Sequence, residues 1–117
     1  MKEFDSGAKK DNAGKLPYHL ITKEMMDALA EALELGIKKG YGENNWQKGL
    51  PLASVSVAAS LRHTFKYLAG EDLNVEKGIN GEEIIVHHLC CAMVNLGMAI
   101  TQIKRDRKDL DDRYIGE

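Results

Sequence analysis

Residues 82–104 read EEIIVHHLCCAMVNLGMAITQIK. Their periodicity predicts a single helix that is apolar nearly all the way round, and a helix hydrophobic on every side is a buried one. Two histidines (His87, His88), two cysteines (Cys90, Cys91) and Asn95 nevertheless sit in it. An unpaired buried polar group costs about 1–3 kcal/mol, so this helix is either the satisfied core of a bundle or the wall of a site. Asn80 reads as its N-cap with Glu83 in the capping-box position. Ile85, Leu89, Ala92, Met93, Leu96 and Ile100 face one way. His88 and Asn95 share a flank within roughly 20°, with Cys91 about 60° away.

Working outward, Thr22 caps a helix over 23–39 that Gly40 stops. Met26, Leu29, Ala30, Leu33, Gly36 and Ile37 form its apolar stripe. Glu31 and Glu34 lie one turn apart at the border of that stripe, an arrangement usable for Mg²⁺, which prefers oxygen ligands. The plainer reading is a solvated face with a Glu34–Lys38 pair. The loop 40–53, GYGENNWQKGLPLA, carries Asn44, Asn45 and the single tryptophan, Trp46. That ring is either a packing anchor or a platform for a base whose edge the amides read. A second helix spans 54–69 and ends at Gly70, with Val57, Ala58, Leu61, Phe65 and Leu68 on one face. Val55, Ala59 and His63 lie on a second face, whose small residues suggest close approach of another helix and a dimer. Arg62 is a surface cation or a phosphate ligand. The turn 70–81 carries Glu71, Asp72 and Glu76, on its own a solvated acidic loop. Residues 1–20 read as a polar arm, frayed or else folding Lys10, Lys15 and Gly14 over an anion. Residues 106–117 read as a charged tail fraying into solvent.

The expectation is therefore an all-α compact bundle of three main helices (23–39, 54–69, 82–104) in one domain over 21–105, completed by oligomerisation. At 117 residues there is room for one core and not two. A net charge of −2 gives no footprint for nucleic acid or an anionic membrane. No apolar run approaches the ~20 residues of a membrane span. The adjacent cysteines make an unlikely disulfide, and together with the absence of a signal-peptide pattern they point to a reducing cytoplasm.

Four stretches together carry a resemblance: KKDNAGKLPYHLI at 9–21, LELGIKKGYGENNWQKG at 33–49, LRHTFKYLAGEDL at 61–73 and HLCCAMVNL at 88–96. In this order they resemble the phage-associated dATP/dGTP diphosphohydrolase N-terminal family, related to the MazG-like all-α nucleoside triphosphate pyrophosphohydrolases. The resemblance implies an all-α bundle that binds a divalent metal and cleaves purine deoxynucleoside triphosphates to monophosphate and pyrophosphate, in a bacterial or phage-infected cell. The chain departs from the family pattern in Leu16 between Lys15 and Pro17, in the extra Gly40, and in Cys91 where histidine is frequent. It also lacks the carboxylate pair that the wider superfamily carries near His88. Under this resemblance Glu34, with Glu31, Glu71 and Asp72, would hold Mg²⁺ or Mn²⁺. His63 or His88 would orient or deprotonate the attacking water, with Glu34 beside them. Lys10, Lys15, Lys38 and Arg62 would meet phosphate, and Asn45, Trp46 and Asn95 the base or sugar. A rival from another class is a non-catalytic helical oligomer or nucleotide-sensing module.

Overall fold

The computed structural model describes residues 2–115. Its elements are strand β1 (Lys2–Glu3), strand β2 (Lys9–Lys10), helix α1 (Lys23–Lys38), helix α2 (Ala58–Leu68), strand β3 (Leu73–Lys77), strand β4 (Glu83–His87) and helix α3 (His88–Lys104). A single π-helical turn, Leu52–Val57, leads directly into α2. β1 and β2 pair antiparallel within the exposed arm, and β3 and β4 form a second antiparallel ladder.

That second ladder corrects the expected all-α class: the chain is a mixed α/β fold in which strands account for 12%. The predicted helix over 82–104 is half right. Its first turn is strand β4, and α3 begins only at His88. Ile84 and Val86 are buried while Glu83 and Ile85 are exposed, the period-two alternation of a half-covered strand. Asn80 and Gly81 belong to the hairpin turn, where the Gly81 N–H donates to the Gly78 carbonyl at 3.0 Å. The cap of α3 is instead His87, whose Nδ1 accepts from the Leu89 N–H at 3.0 Å. β3 runs with inverted polarity: Asn74 and Glu76 point inward, while Leu73 and Val75 face outward. The segment expected to be a solvated acidic loop is therefore a strand with its polar side buried.

Packing follows from small residues. Ser56 in the π turn and Ser60 on α2 are among the most buried side chains, and α2 packs along α3. His63 on α2 meets His88 at the start of α3, while Val57, just before α2, and Ile103, near the end of α3, line one shared pocket, so the two helices run antiparallel. α1 and the β3–β4 hairpin close the other side. The core consists of Ala32, Leu35, Ile84, Val86, Cys91 and Val94, bordered by Leu29, Cys90 and Met98.

Part of the segment after α3, expected to fray, is held at Asp112, while Tyr114 and Ile115 are exposed and residues 116–117 lie outside the described residues. The Asp112 carboxylate accepts from the Ala53 N–H at 2.6 Å and from the Ser54 N–H at 3.2 Å, and it also accepts from the Ser54 hydroxyl. Pro51 precedes that helical start and offers it no side-chain cap, so Asp112 supplies the missing acceptor from far along the chain.

Candidate active site

Between α1, the 41–50 loop, α2 and α3 lies a cavity of about 440 Å³. This is within the size range of small-molecule sites. Asn45, Trp46, Arg62, His63 and Asn95, all singled out in the sequence, line it. Local capping chemistry puts them there. α1 ends in a Schellman motif: the Gly40 N–H donates to the Ile37 carbonyl at 2.9 Å and the Tyr41 N–H to the Gly36 carbonyl at 3.1 Å. Gly40 takes φ +90°, and a Cβ there would come within 3.0 Å of Ile79. The chain thus turns so that Tyr41 and the following loop run along the cavity. Buried Gln102 on α3 then anchors the loop, its Nε2 donating to the carbonyls of Trp46 and Gln47, each at 3.3 Å. Asn95 donates its amide to the Cys91 carbonyl at 2.8 Å.

Behind the cavity wall stands a line of three titratable side chains. His63 Nδ1 lies 2.8 Å from His88 Nδ1, and His88 Nε2 lies 2.5 Å from Glu71 Oε2. His88 is 1% exposed, so both of its ring nitrogens depend on these two partners. An ionised carboxylate only accepts, so His88 donates to Glu71 through Nε2. With both rings neutral, His88 Nδ1 must then accept from His63 Nδ1–H, leaving the lone pair of His63 on Nε2. These contacts fix the His63 ring from behind. Burial, then the adjacent His88 and Lys66, lowers the His63 pKa below its ordinary 6.5, which keeps the ring neutral near pH 7. Glu71 owes its position to a second Schellman motif at the end of α2. Gly70 takes φ +98°, and the Glu71 N–H donates to the Lys66 carbonyl at 2.9 Å.

A second polar group on the wall was not foreseen. Glu76, inward on β3, accepts from Lys39 Nζ at 2.9 Å and from the Asn74 amide at 2.8 Å. Burial pushes the Glu76 carboxyl up, but these two donors outweigh it and hold the group below its usual range. Lys39 also stands 5.1 Å from the centre of the Tyr41 ring. The signal for Glu76 lay in strand alternation from Leu73 to Lys77, which inverted polarity disguised. Cys91 lines the cavity too, and burial raises its thiol to about 11, so it stays protonated at neutral pH and is no nucleophile.

Other expected residues stand elsewhere. Glu34 pairs with Lys38 at 2.6 Å on the surface of α1, and both lie outside the cavity lining, as does exposed Glu31. Lys10 and Lys15 are exposed on the arm. Glu71 reaches the cavity only through His88. Asp72 is exposed, and its carbonyl accepts from the His88 N–H at 2.9 Å.

The family described as dATP/dGTP diphosphohydrolase, N-terminal, matches residues 5–113. The chain belongs to that family. No curated protein and no solved structure gives a match. The matched span takes in α1, α2, the β3–β4 hairpin and α3, so every residue lining the cavity falls within the diphosphohydrolase N-terminal domain. No helix among the described residues is long and apolar enough to cross a membrane.

A divalent metal is what this family leads one to look for. Among the described residues no three His, Cys, Asp or Glu side chains converge as a metal-binding group. The carboxylates lining the cavity are Glu43 and Glu76, and Glu76 is already bonded by Lys39 and Asn74. The described residues of a single chain therefore do not build a dedicated metal cage.

Proposed function

We propose that the cavity binds dATP or dGTP and hydrolyses it to the monophosphate and pyrophosphate, with the Glu71–His88–His63 relay as the oriented base. The observation that carries this reading is the placement of that relay behind a cavity that also presents Trp46, Asn45, Asn95 and Arg62. Trp46 offers a stacking face for a purine, and the two asparagines offer amides for base edge or sugar. Arg62 takes part in none of the ion pairs found among the described residues, so its guanidinium is available to phosphate oxygens. His63 Nε2 accepts a proton from water as the water oxygen bonds to the α-phosphorus. The bond from that phosphorus to the bridging oxygen breaks, and pyrophosphate leaves with the electron pair. Mg²⁺ enters as the counter-ion of the triphosphate, a form in which it keeps most of its waters and needs few protein ligands. Mn²⁺ is the alternative ion.

The test is to incubate the protein with each deoxynucleoside triphosphate and Mg²⁺ or Mn²⁺ and resolve the products by ion exchange. Monophosphate and pyrophosphate from dATP or dGTP, lost in His63→Gln, is the expected result. No turnover with any nucleotide overturns it. Nucleotide-dependent thermal stabilisation without turnover would support the sensing module instead. Glu34→Gln in the same assay separates this cavity from a site on the surface of α1.

A further inference from the structure

The loop that carries Asn45 and Trp46 takes its outside hydrogen bonds from one source. Among the described residues, every hydrogen bond that reaches residues 42–50 from elsewhere in the chain comes from Gln102, Arg105 or Arg107. Gln102 holds the Trp46 and Gln47 carbonyls. Arg105 Nη1 donates to Gln47 Oε1 at 3.0 Å, and Gln47 Nε2 in turn donates to Asn44 Oδ1 at 2.7 Å. Arg107 Nη2 reaches the Lys48 carbonyl at 3.4 Å. Within itself the loop is one short helical turn, Asn45–Lys48, and a single turn is marginal alone.

Arg107 is itself fixed in place. At the end of α3 the Asp106 N–H donates to the Ile103 carbonyl and the Arg107 N–H to the Gln102 carbonyl, each at 3.0 Å. Asp106 takes φ +59° in this turn, the left-handed position that glycine usually fills. A side chain is kept there only where its surroundings determine it. Asp109 then clamps the Arg107 guanidinium, accepting from Nε at 3.0 Å and from Nη2 at 2.9 Å. The guanidinium lies against Gly49, whose φ is +121°. A Cβ added to Gly49 would come within 2.8 Å of Arg107 Nη2 and 3.0 Å of Leu110. The approach of this segment to the loop therefore depends on glycine at that position.

Neither Arg105 nor Arg107 lines the cavity. We infer that residues 102–110 form a strap that positions the Trp46 loop, and that Arg107, seated on Gly49, sets the affinity of the cavity for nucleotide without touching it. The inference rests on the reading of the cavity as a nucleotide site. A stacking ring contributes binding that substrate and transition state share, so loosening the strap raises KM and spares kcat. His63 keeps its partners in either case, because His88 stands at the opposite end of α3 from the strap. Arg107 is thus a positioning residue, acting through Gly49 and the loop.

Trp46 is the single tryptophan, so its fluorescence anisotropy in the nucleotide-free protein reports this loop alone. Arg107→Ala should lower that anisotropy and leave the far-ultraviolet circular dichroism unchanged. A loop that holds its binding arrangement about a tenth of the time weakens apparent affinity about tenfold, so KM for dATP or dGTP should rise about tenfold with kcat within about twofold. Arg105→Ala, at an exposed position, should move both readouts the same way by less, and it carries the test if Arg107→Ala fails to fold. Lys108→Ala, whose ammonium pairs with Asp106, should move neither. An unchanged anisotropy overturns the proposal, and so does an unchanged KM or a loss carried by kcat. No turnover by the unmodified protein overturns the nucleotide reading instead, and the anisotropy then still decides whether the strap holds the loop.

Discussion

The two sides of the α2–α3 layer invert the usual division of a soluble protein. The side turned inward, toward α1, holds Arg62, His63 and Asn95 around a cavity, backed by wholly buried His88. The side turned outward is built from leucine, isoleucine, methionine and phenylalanine. Polar groups kept inside must be paired, and each of these has a stated partner or faces the cavity. Among the described residues no element covers the apolar groups left outside. The two sides of one pair of helices thus differ in kind, with paired polar groups around a cavity on the inner side and apolar side chains on the outer.

The largest effect should come from the inner side. His63→Gln is expected to lower turnover of dATP or dGTP by about 100-fold, the usual worth of a positioned general base, with the circular dichroism spectrum unchanged. An equal loss from a change on the outer side would erase the division drawn above. Next is the spacing between the two sides. Ser60→Leu forces a bulky group into a contact where serine is 4% exposed, and overpacking of this kind costs about 1–3 kcal/mol, readable as a lower urea midpoint. Gly70→Ala should cost about 1–2 kcal/mol, because a left-handed backbone disfavours a Cβ. Nothing lies within 4 Å of the added methyl, so that loss is backbone strain alone, and turnover should fall with it as Glu71 shifts. The smallest effect is pH dependence. His63 has its pKa lowered in the fold, so its contribution to stability is complete above its ordinary 6.5 and is lost as pH falls below that value. Urea midpoints at neutral pH and at pH near 5 (about 1.5 units below that ordinary value) should converge in His63→Gln relative to the unmodified chain.

Sequence patterns identified what is fixed locally. Thr22 accepts from the Met25 N–H at 3.1 Å as the cap of α1, and Gly40 and Gly70 end α1 and α2 as expected. Such signals rest on neighbouring residues and survive any tertiary context. The β3–β4 hairpin was not legible, for two physical reasons. Ile84, Ile85 and Val86 are followed, after His87 and His88, by an equally apolar helix, so hydrophobicity alone marks no clear boundary. β3 hides its polar side, Asn74 and Glu76, and shows Leu73 and Val75, so its alternation reads backwards. Asn45, Trp46, Arg62, His63 and Asn95, which line the cavity, stood out in the sequence as unusual types on helices and a loop. The links behind the cavity did not, because the His88–Glu71 contact and the Lys39–Glu76 pair join positions far apart in sequence.

The carboxylate of Asp112 has one more consequence, which concerns synthesis. The amides of Ala53 and Ser54 open the helical run that carries Arg62 and His63, and their acceptor lies 58 or more residues further on. While the ribosome is still making α3, this helical start has no cap and the wall of the cavity cannot settle. Contacts of such long sequence separation form late. The nascent domain therefore reaches its final arrangement only when the segment holding Asp112 emerges, and a ribosome stalled before Asp112 should hold a domain whose first two helices are only loosely joined.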